Sequence, residues 1–548
     1  MTLVDQPRVP VEEPGARPLH GRHRARSSGG ASAPLLLAAA LAALAFAVRS
    51  IGLTRSFELW IDEMHYADLG ASISRGELPA LADGPFFLHP PGFFVVEGAV
   101  IRLLDLQTAD SMSLVYDLRW LTAALGSLSV ALAFLLVRRV AGTWPAVWAA
   151  LVLVFEPFVL RNNSRVFLET PAAAAVLAGL LLLVGHLDRR HRGRAQGRLF
   201  LAGLLLGYAV LTKDVFAVYA VVPVLLAVVW RRTLRLGEAG TVLLGVVTPY
   251  AVYLVLLSLA GDLGLWAAAK GNGLLRLVGA EQATGFNAPG APSLVDRLLD
   301  QAQGYGTSYL LLLLCPLAGL LAAASHRPDR RLVGLTAVVM GVIGAFLALF
   351  GTLEEHFGYP MVVAGVTALA VCAAEVVERR PSQRTVTVVL ASVLLAAVAT
   401  TGLRLETTDD GGFLRFRAWA AAELPPDARV GVTNDTAIRA FRDDDRFGPW
   451  STAQQLEDNG ARYVLTVSLP TEQGYARARP ELLDWLEANG TPLFRADGPT
   501  NGQTVLWSVP PDALARAAAD GVGGPPPPPV DAGTAGEAVP EAGDRGTR

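Results

Sequence analysis

The stretch LWIDEMHYADLG places two carboxylates, an imidazole and a phenol close together, at Asp62, Glu63, His65 and Tyr66, directly after a long apolar run. Such a set can take a proton from a hydroxyl or hold a divalent cation. If residues 58–75 form a helix, Asp62, His65, Tyr66 and Leu69 share a face at i, i+3, i+4, i+7 spacing, beside an apolar stripe of Trp60, Met64, Ala67 and Ala71. That helix would lie along a membrane surface. Consecutive helical residues point about 100° apart, so Asp62 and Glu63 should not serve one small site and one of them should matter more. Solvated charges on an interfacial helix would give the same pattern.

Four further segments carry chemistry-bearing side chains. His89-Pro90-Pro91-Gly92 is a turn whose prolines fix an extended chain and stop any helix before them. Arg161, Arg165 and Glu169 lie in RNNSRVFLETP, where Glu169 can be a helix N-terminal residue favoured by the dipole or a second site carboxylate. Lys213-Asp214 interrupts an apolar run, and lysine occurs elsewhere only at position 270. In a chain that uses arginine nearly everywhere, Lys213 suggests a need for a compact ammonium charge, although a helix-end charge reaching the interface fits too. Asp214 could pair with Lys213. His356 and Tyr359 stand in LEEHFGYP.

The elements that must hold these residues are membrane spans. Of 548 residues, 52% are hydrophobic and only 17% charged, far more apolar than a soluble protein. Runs long enough to cross a bilayer occur at about 33–50, 120–137, 143–160, 170–187, 240–260, 306–325, 331–351, 359–377 and 384–402. The run from Leu199 to Trp230 reads as two short spans split at Lys213-Asp214, giving about eleven. The first run is read as a span and not a cleaved signal, since a basic tail (residues 1–32) precedes it.

Arg-rich loops before 33 and at 138–139, 188–198, 231–235, 325–331 and 378–384 fall on one side, which should be cytoplasmic. The loop at 51–119, the turns at 161–169, 213–214 and 353–360, and the loop at 261–305 then fall outside. After the last span, ARVGVTND, ARYVLTVSLP and QTVLWSV read as strands between helical stretches, so residues 403–511 are expected to form a small α/β domain on the outer face. The Pro/Gly/Ala-rich tail at 512–548 has too little apolar surface to fold. Cys315 and Cys372 lie in apolar runs, which excludes a disulfide framework or a cysteine zinc site. No P-loop or GxGxxG element is found, no cofactor or nucleic acid is expected, and the arginine bias suits a bacterial genome.

An acidic pair after the first span and a PP turn about thirty residues later resemble the GT-C glycosyltransferases that use polyprenyl-phosphate sugars, closest to the protein O-mannosyltransferase and aminoarabinose transferase branch. LTAALGSLSVALAFLLVRRVAG, EPFVLRNNSRVFLETPAAAAVLAGLLLL and GLLLGYAVLTKD are similar to that family's following spans, so the likeness covers about residues 33–235. HFGYP stands where relatives tend to have an Arg-Tyr pair before Pro, and His89 stands where many carry Lys.

The resemblance implies a mainly α, polytopic GT-C-like fold that moves a sugar from a polyprenyl phosphate to a protein, polysaccharide or lipid hydroxyl with inversion. It implies Asp62 as base, with Glu63, His65 or His89 orienting the acceptor or the base. Lys213, Arg161 and Arg165 would stabilise the leaving phosphate, and Tyr66, Glu169, His356 and Tyr359 are further substrate contacts. No metal is required by it, although Asp62, Glu63 and His65 could bind one. A transporter should instead place charges near the midplane and often shows two related halves, neither of which is detected. A non-catalytic envelope scaffold would keep partner binding when Asp62 is replaced.

Overall fold

The computed structural model describes residues 32–81, 84–187, 196–280, 293–350, 358–474 and 476–524. The chain enters with α1 (Ser32–Ser50), α2 (Ile61–Ser74), a short ribbon of β1 (Ala80–Leu81) and β2 (Gly84–Pro85), and α3 (Gly92–Leu103). The helical body continues with α4 (Ser111–Ala141), α5 (Thr143–Phe155), α6 (Pro157–Asn163), α7 (Glu169–Leu187), α8 (Gln196–Thr212) and α9 (Phe216–Val229). It is completed by α10 (Leu236–Ala260), α11 (Leu263–Leu277), α12 (Leu294–Asp300), α13 (Ala302–Ala323), α14 (Pro328–Leu349), α15 (Gly358–Arg379) and α16 (Arg384–Thr407).

Among the described residues, eight helices are long and apolar enough to cross a membrane by themselves. The pair α5 and α6, bent by 62°, passes the same test only when the two helices are taken together, as one broken span or as a re-entrant loop. The bend falls where Pro157 removes a backbone donor, and Glu156 caps the new helix by accepting the Val159 N–H at 2.7 Å while Ser308 donates to its other oxygen. The shorter apolar helices α8 and α9, of 17 and 14 residues, flank Lys213-Asp214. Together these occupy the runs in which the sequence predicts spans, and the chain is a multi-pass membrane protein.

The two sets of loops gather at opposite ends of the bundle. At one end Arg139 donates to Gly185 O, Arg231 to Ala324 O and Arg330 to Val140 O, and His186 meets Glu238. At the other, here termed the site face, the loop after α1 meets residue 410, the α6–α7 turn meets residue 500, and α11 meets the turn before α3.

The α/β domain follows α16. It comprises α17 (Gly412–Glu423), β3 (Val430–Val432), α18 (Asp435–Ala440), β4 (Phe447–Gly448), α19 (Ala453–Asp458), β5 (Tyr463–Val467), α20 (Ser468–Glu472), α21 (Pro480–Asn489), β6 (Thr491–Gly498), β7 (Gly502–Ser508) and α22 (Pro511–Ala519). The sheet runs β4-β3-β5-β7-β6, with β3 parallel to β4 and β5, and β7 antiparallel to β5 and β6. Adjacent residues of a strand face opposite ways, and β5 uses both. Leu465 joins a core shared with α2, α3, α4 and α17, whereas Val464 packs under α19, α21 and α22.

Two sequence expectations change here. The chain folds beyond residue 511: Leu514 and Ala517 of α22 are buried in the domain's second core, because an amphipathic turn needs only a few apolar residues when a sheet is there to receive them. The edge strands β4 and β6 were not foreseen, being two residues long in one case and rich in Pro, Arg, Asp and Gly in the other. Residues 1–31 and 525–548 lie outside the described residues.

Candidate active site

Helix α2 begins one residue after Trp60, and eight of its fourteen residues are buried. It packs on α3 and α4, and its polar face meets α18 and the turn after it, where Asp68 is paired with Arg439 of the helix at 3.4 Å and with Arg442 of the turn at 2.5 Å. His65 shares that face. Burial first, then the charges of Arg439 and Arg442, push its imidazole down to about 3, so it stands neutral near pH 7.

Asp62 and Glu63 separate as the helical rotation requires. Glu63 is fully buried and takes two hydrogen bonds from Arg119, at 2.9 and 2.8 Å, together with the N–H groups of Val166 at 2.9 Å and Trp60 at 3.1 Å. Arg119 also donates to Leu53 O and Phe57 O, tying down the loop after α1. Every acceptor position of Glu63 is therefore engaged within the protein, which leaves none to orient an acceptor hydroxyl and makes Asp62 the carboxylate of the two that matters more at the site. Asp62, in the first turn of the same helix, is half-buried, a position from which a carboxylate can meet a ligand.

One turn on, the Tyr66 ring meets His89 edge-on at 5.9 Å, so the two sequence segments converge. The HPPG turn is seated by Gly92: a Cβ there would stand 2.6 Å from Leu211 O and 2.9 Å from Thr212 N, so only glycine lets the turn reach the end of α8. Next in the chain is Lys213, buried and ion-paired with Glu169 at the start of α7. Asp214 does not pair with Lys213. It accepts from Lys270 of α11 at 2.5 Å and from the Tyr250 hydroxyl at 2.8 Å, and Lys270 also donates to Leu88 O at 2.8 Å. Both lysines of the chain thus stand at the HPPG turn.

Arg161 lies over the Tyr305 ring at 5.5 Å, and Arg165 is buried beside Phe57 and Trp60. Burial and then the neighbouring Arg161 lower the Arg165 guanidinium to about 10, which leaves it charged near neutrality. Its Nη2 donates to Glu58 O at 3.0 Å and to Thr500 Oγ1 at 3.2 Å. Glu58 accepts from Leu59 N and Phe413 N at 2.9 and 2.8 Å, and burial pushes its carboxyl up to about 8. Tyr359 is fully buried in the first turn of α15, beside Asn163, Thr170 and Ser129. His356 lies outside the described residues. Among the described residues no group of three or more His, Cys, Asp or Glu side chains is placed to hold a metal ion.

Sequence reasoning missed Glu58, Arg119 as the partner of Glu63, Lys270, Asp410 and Thr500. Lys270 had a visible signal, as the only other lysine. The rest are brought in by contacts across more than 50 residues, for which the local sequence holds no sign.

The sequence profile of the dolichyl-phosphate-mannose-protein mannosyltransferase family matches residues 96–268. No curated protein matches the chain by sequence. Among solved structures, ArnT from Cupriavidus metallidurans bound to undecaprenyl phosphate is similar with a TM-score of 0.52 at 16% identity, over 88% of this chain and 99% of that one. The archaeal oligosaccharyltransferase AglB from Archaeoglobus fulgidus, in complex with an inhibitory peptide and a dolichol-phosphate, is similar with a TM-score of 0.51 at 13% identity, over 86% of this chain and 74% of that one. At such identities the likeness is one of fold: the chain is a polytopic membrane protein with the GT-C fold.

Proposed function

We propose that this GT-C chain transfers a sugar from a polyprenyl phosphate to an acceptor hydroxyl at the site face of the membrane. The observation that carries the reading is the placement of Asp62. It is the half-buried carboxylate of the opening motif, set one residue before a carboxylate wholly engaged by Arg119 and two backbone N–H groups, and one helical turn before the Tyr66–His89 contact. The fold shared with a protein bound to undecaprenyl phosphate and with one bound to dolichol-phosphate supports the donor class.

In this mechanism the acceptor oxygen attacks the anomeric carbon as Asp62 takes the hydroxyl proton, and the bond from that carbon to the phosphate oxygen breaks. A single displacement inverts the anomeric centre. The charge left on the phosphate is met by cations at the site face, Lys213, Lys270, Arg161 and Arg165, acting in surroundings partly closed to water. His65, held neutral, can orient the acceptor but cannot serve as a cation near pH 7. Tyr66 and His89 offer an aromatic wall for the sugar, and Glu169 fixes Lys213. The polyprenyl tail remains in lipid between the spans, which explains why the chemistry belongs in a membrane protein.

The arginine-rich loops of the opposite end favour a cytoplasmic location for it, which sets the site face and the α/β domain outside a bacterial cell membrane. The acceptor is then an envelope protein, polysaccharide or lipid. The test is transfer of radiolabel from polyprenyl-phosphate mannose, and then from a panel of other lipid-linked sugars, by the purified chain in nanodiscs with a membrane extract as acceptor source. Label transfer from one member of the panel is expected. Absence of transfer from every member contradicts the reading.

A further inference from the structure

The α/β domain contributes a residue to the site face. Thr500, in the turn between β6 and β7, accepts from Arg165 Nη2 at 3.2 Å through its Oγ1 and donates the same hydroxyl's proton to Asp410 Oδ2 at 2.6 Å. Its backbone N–H donates to Asp410 Oδ1 at 2.9 Å, and the N–H of Glu58 reaches Asp410 Oδ2 at 3.0 Å. A hydroxyl whose only proton is committed to Asp410 can offer Arg165 nothing but a lone pair, which fixes the orientation of both groups.

The guanidinium so held is unfinished. Arg165 is 1% exposed, yet its Nε and Nη1 have no hydrogen-bond acceptor among the described residues, and the nearest carboxylate contact, from Nε to Glu63, is 3.9 Å long. Buried donors on a charged group are costly to leave unmade. Nε–H shares its edge of the planar fork with the Nη2 that Glu58 O and Thr500 hold, so Nη1, at the end of the fork, is the donor left to meet a phosphate oxygen. Trp60, which is 36% exposed, stands with its ring centroid 5.6 Å from the guanidinium carbon.

We propose that Thr500 is a positioning residue: through the Asp410–Thr500 pair, the α/β domain holds Arg165 so that its Nη1 receives the phosphate of a lipid-linked donor. The inference rests on the donor class proposed above. It makes the domain a part of the donor site.

The test measures affinity of the full chain in nanodiscs for undecaprenyl phosphate and for undecaprenol, with melting followed alongside. Arg165→Gln should weaken undecaprenyl phosphate about tenfold or more, and Thr500→Val about three- to tenfold, as expected for losing a charged hydrogen bond or its alignment. Thr500→Ser should restore the wild-type value, undecaprenol should respond to none of the changes, and the Thr500 variants should melt with wild type. If Thr500→Val melts early, Thr500→Ala takes its place with the same expectation. Weakening by Arg165→Gln but wild-type affinity in the Thr500 variant would overturn the positioning role and leave the donor reading standing. Equal affinity of wild type for the phosphate and the alcohol would overturn both.

Discussion

Glu63 and Arg119 are joined by two hydrogen bonds, 2.9 and 2.8 Å long, with neither side chain exposed to solvent. The pair locks the start of α2 against α4 and so sets where the neighbouring Asp62 stands. Removing one partner of a buried pair strands the other charge, at a cost of about 3–5 kcal/mol. Glu63→Gln and Arg119→Met should each lower the melting temperature sharply in nanodiscs. Melting like wild type would show that the pair does not hold α2.

Gly92 is the contact point between the HPPG turn and α8. Its substitution by alanine brings a side-chain carbon to 2.6 Å from a backbone oxygen, an obstacle that no rotamer change relieves. Gly92→Ala should cost about 1–3 kcal/mol by overpacking and weaken donor binding by moving His89 away from the Lys213 end. Unchanged stability and binding would mean that the turn is not seated by this contact.

Glu58 gives the fold a pH dependence with a defined sign. Its folded-state carboxyl titrates at about 8, above the unfolded value of about 4.3, so its contribution to stability is fully present below the unfolded value and is lost as pH rises through the folded one. His65, whose folded value of about 3 lies below its unfolded value of about 6.5, adds stability as pH rises to about 6.5 and offsets this slope there. Wild-type melting temperature should therefore fall chiefly between about pH 6.5 and 8 and level off above. Glu58→Gln should show a shallower slope, and an identical slope in the two proteins would remove Glu58 as the cause.

The Asp214–Lys270 contact, with side chains 37% and 18% exposed, is screened by solvent. A double-mutant cycle of Asp214→Asn and Lys270→Met, read by melting, should return a coupling energy on the order of 1 kcal/mol. A coupling near zero would mean that α11 is held in place by its packing on α10, Trp266 against Tyr250, and not by this pair.

Much of this architecture is legible in the sequence because a bilayer leaves few choices: long apolar runs become spans, and Pro157 and the Lys213-Asp214 break announce where spans bend or shorten. The convergence of Tyr66 with His89 and of Lys213 with Glu169 follows from putting their loops on one face. What the sequence hides is pairing at a distance. Nothing in IDEMH says that Glu63 is spent on a residue 56 positions away, nor that Asp214 turns from the adjacent Lys213 to Lys270. The polar face of α2 looked solvated because its cover, α18, is more than 360 residues on.

Whether Asp62 is the base is read from turnover of Asp62→Asn, with donor binding measured in parallel. The substitution should lower the rate of sugar transfer by about 10²–10⁴-fold, while affinity for undecaprenyl phosphate and the melting temperature stay at wild-type values. Transfer at the wild-type rate by Asp62→Asn would contradict that role.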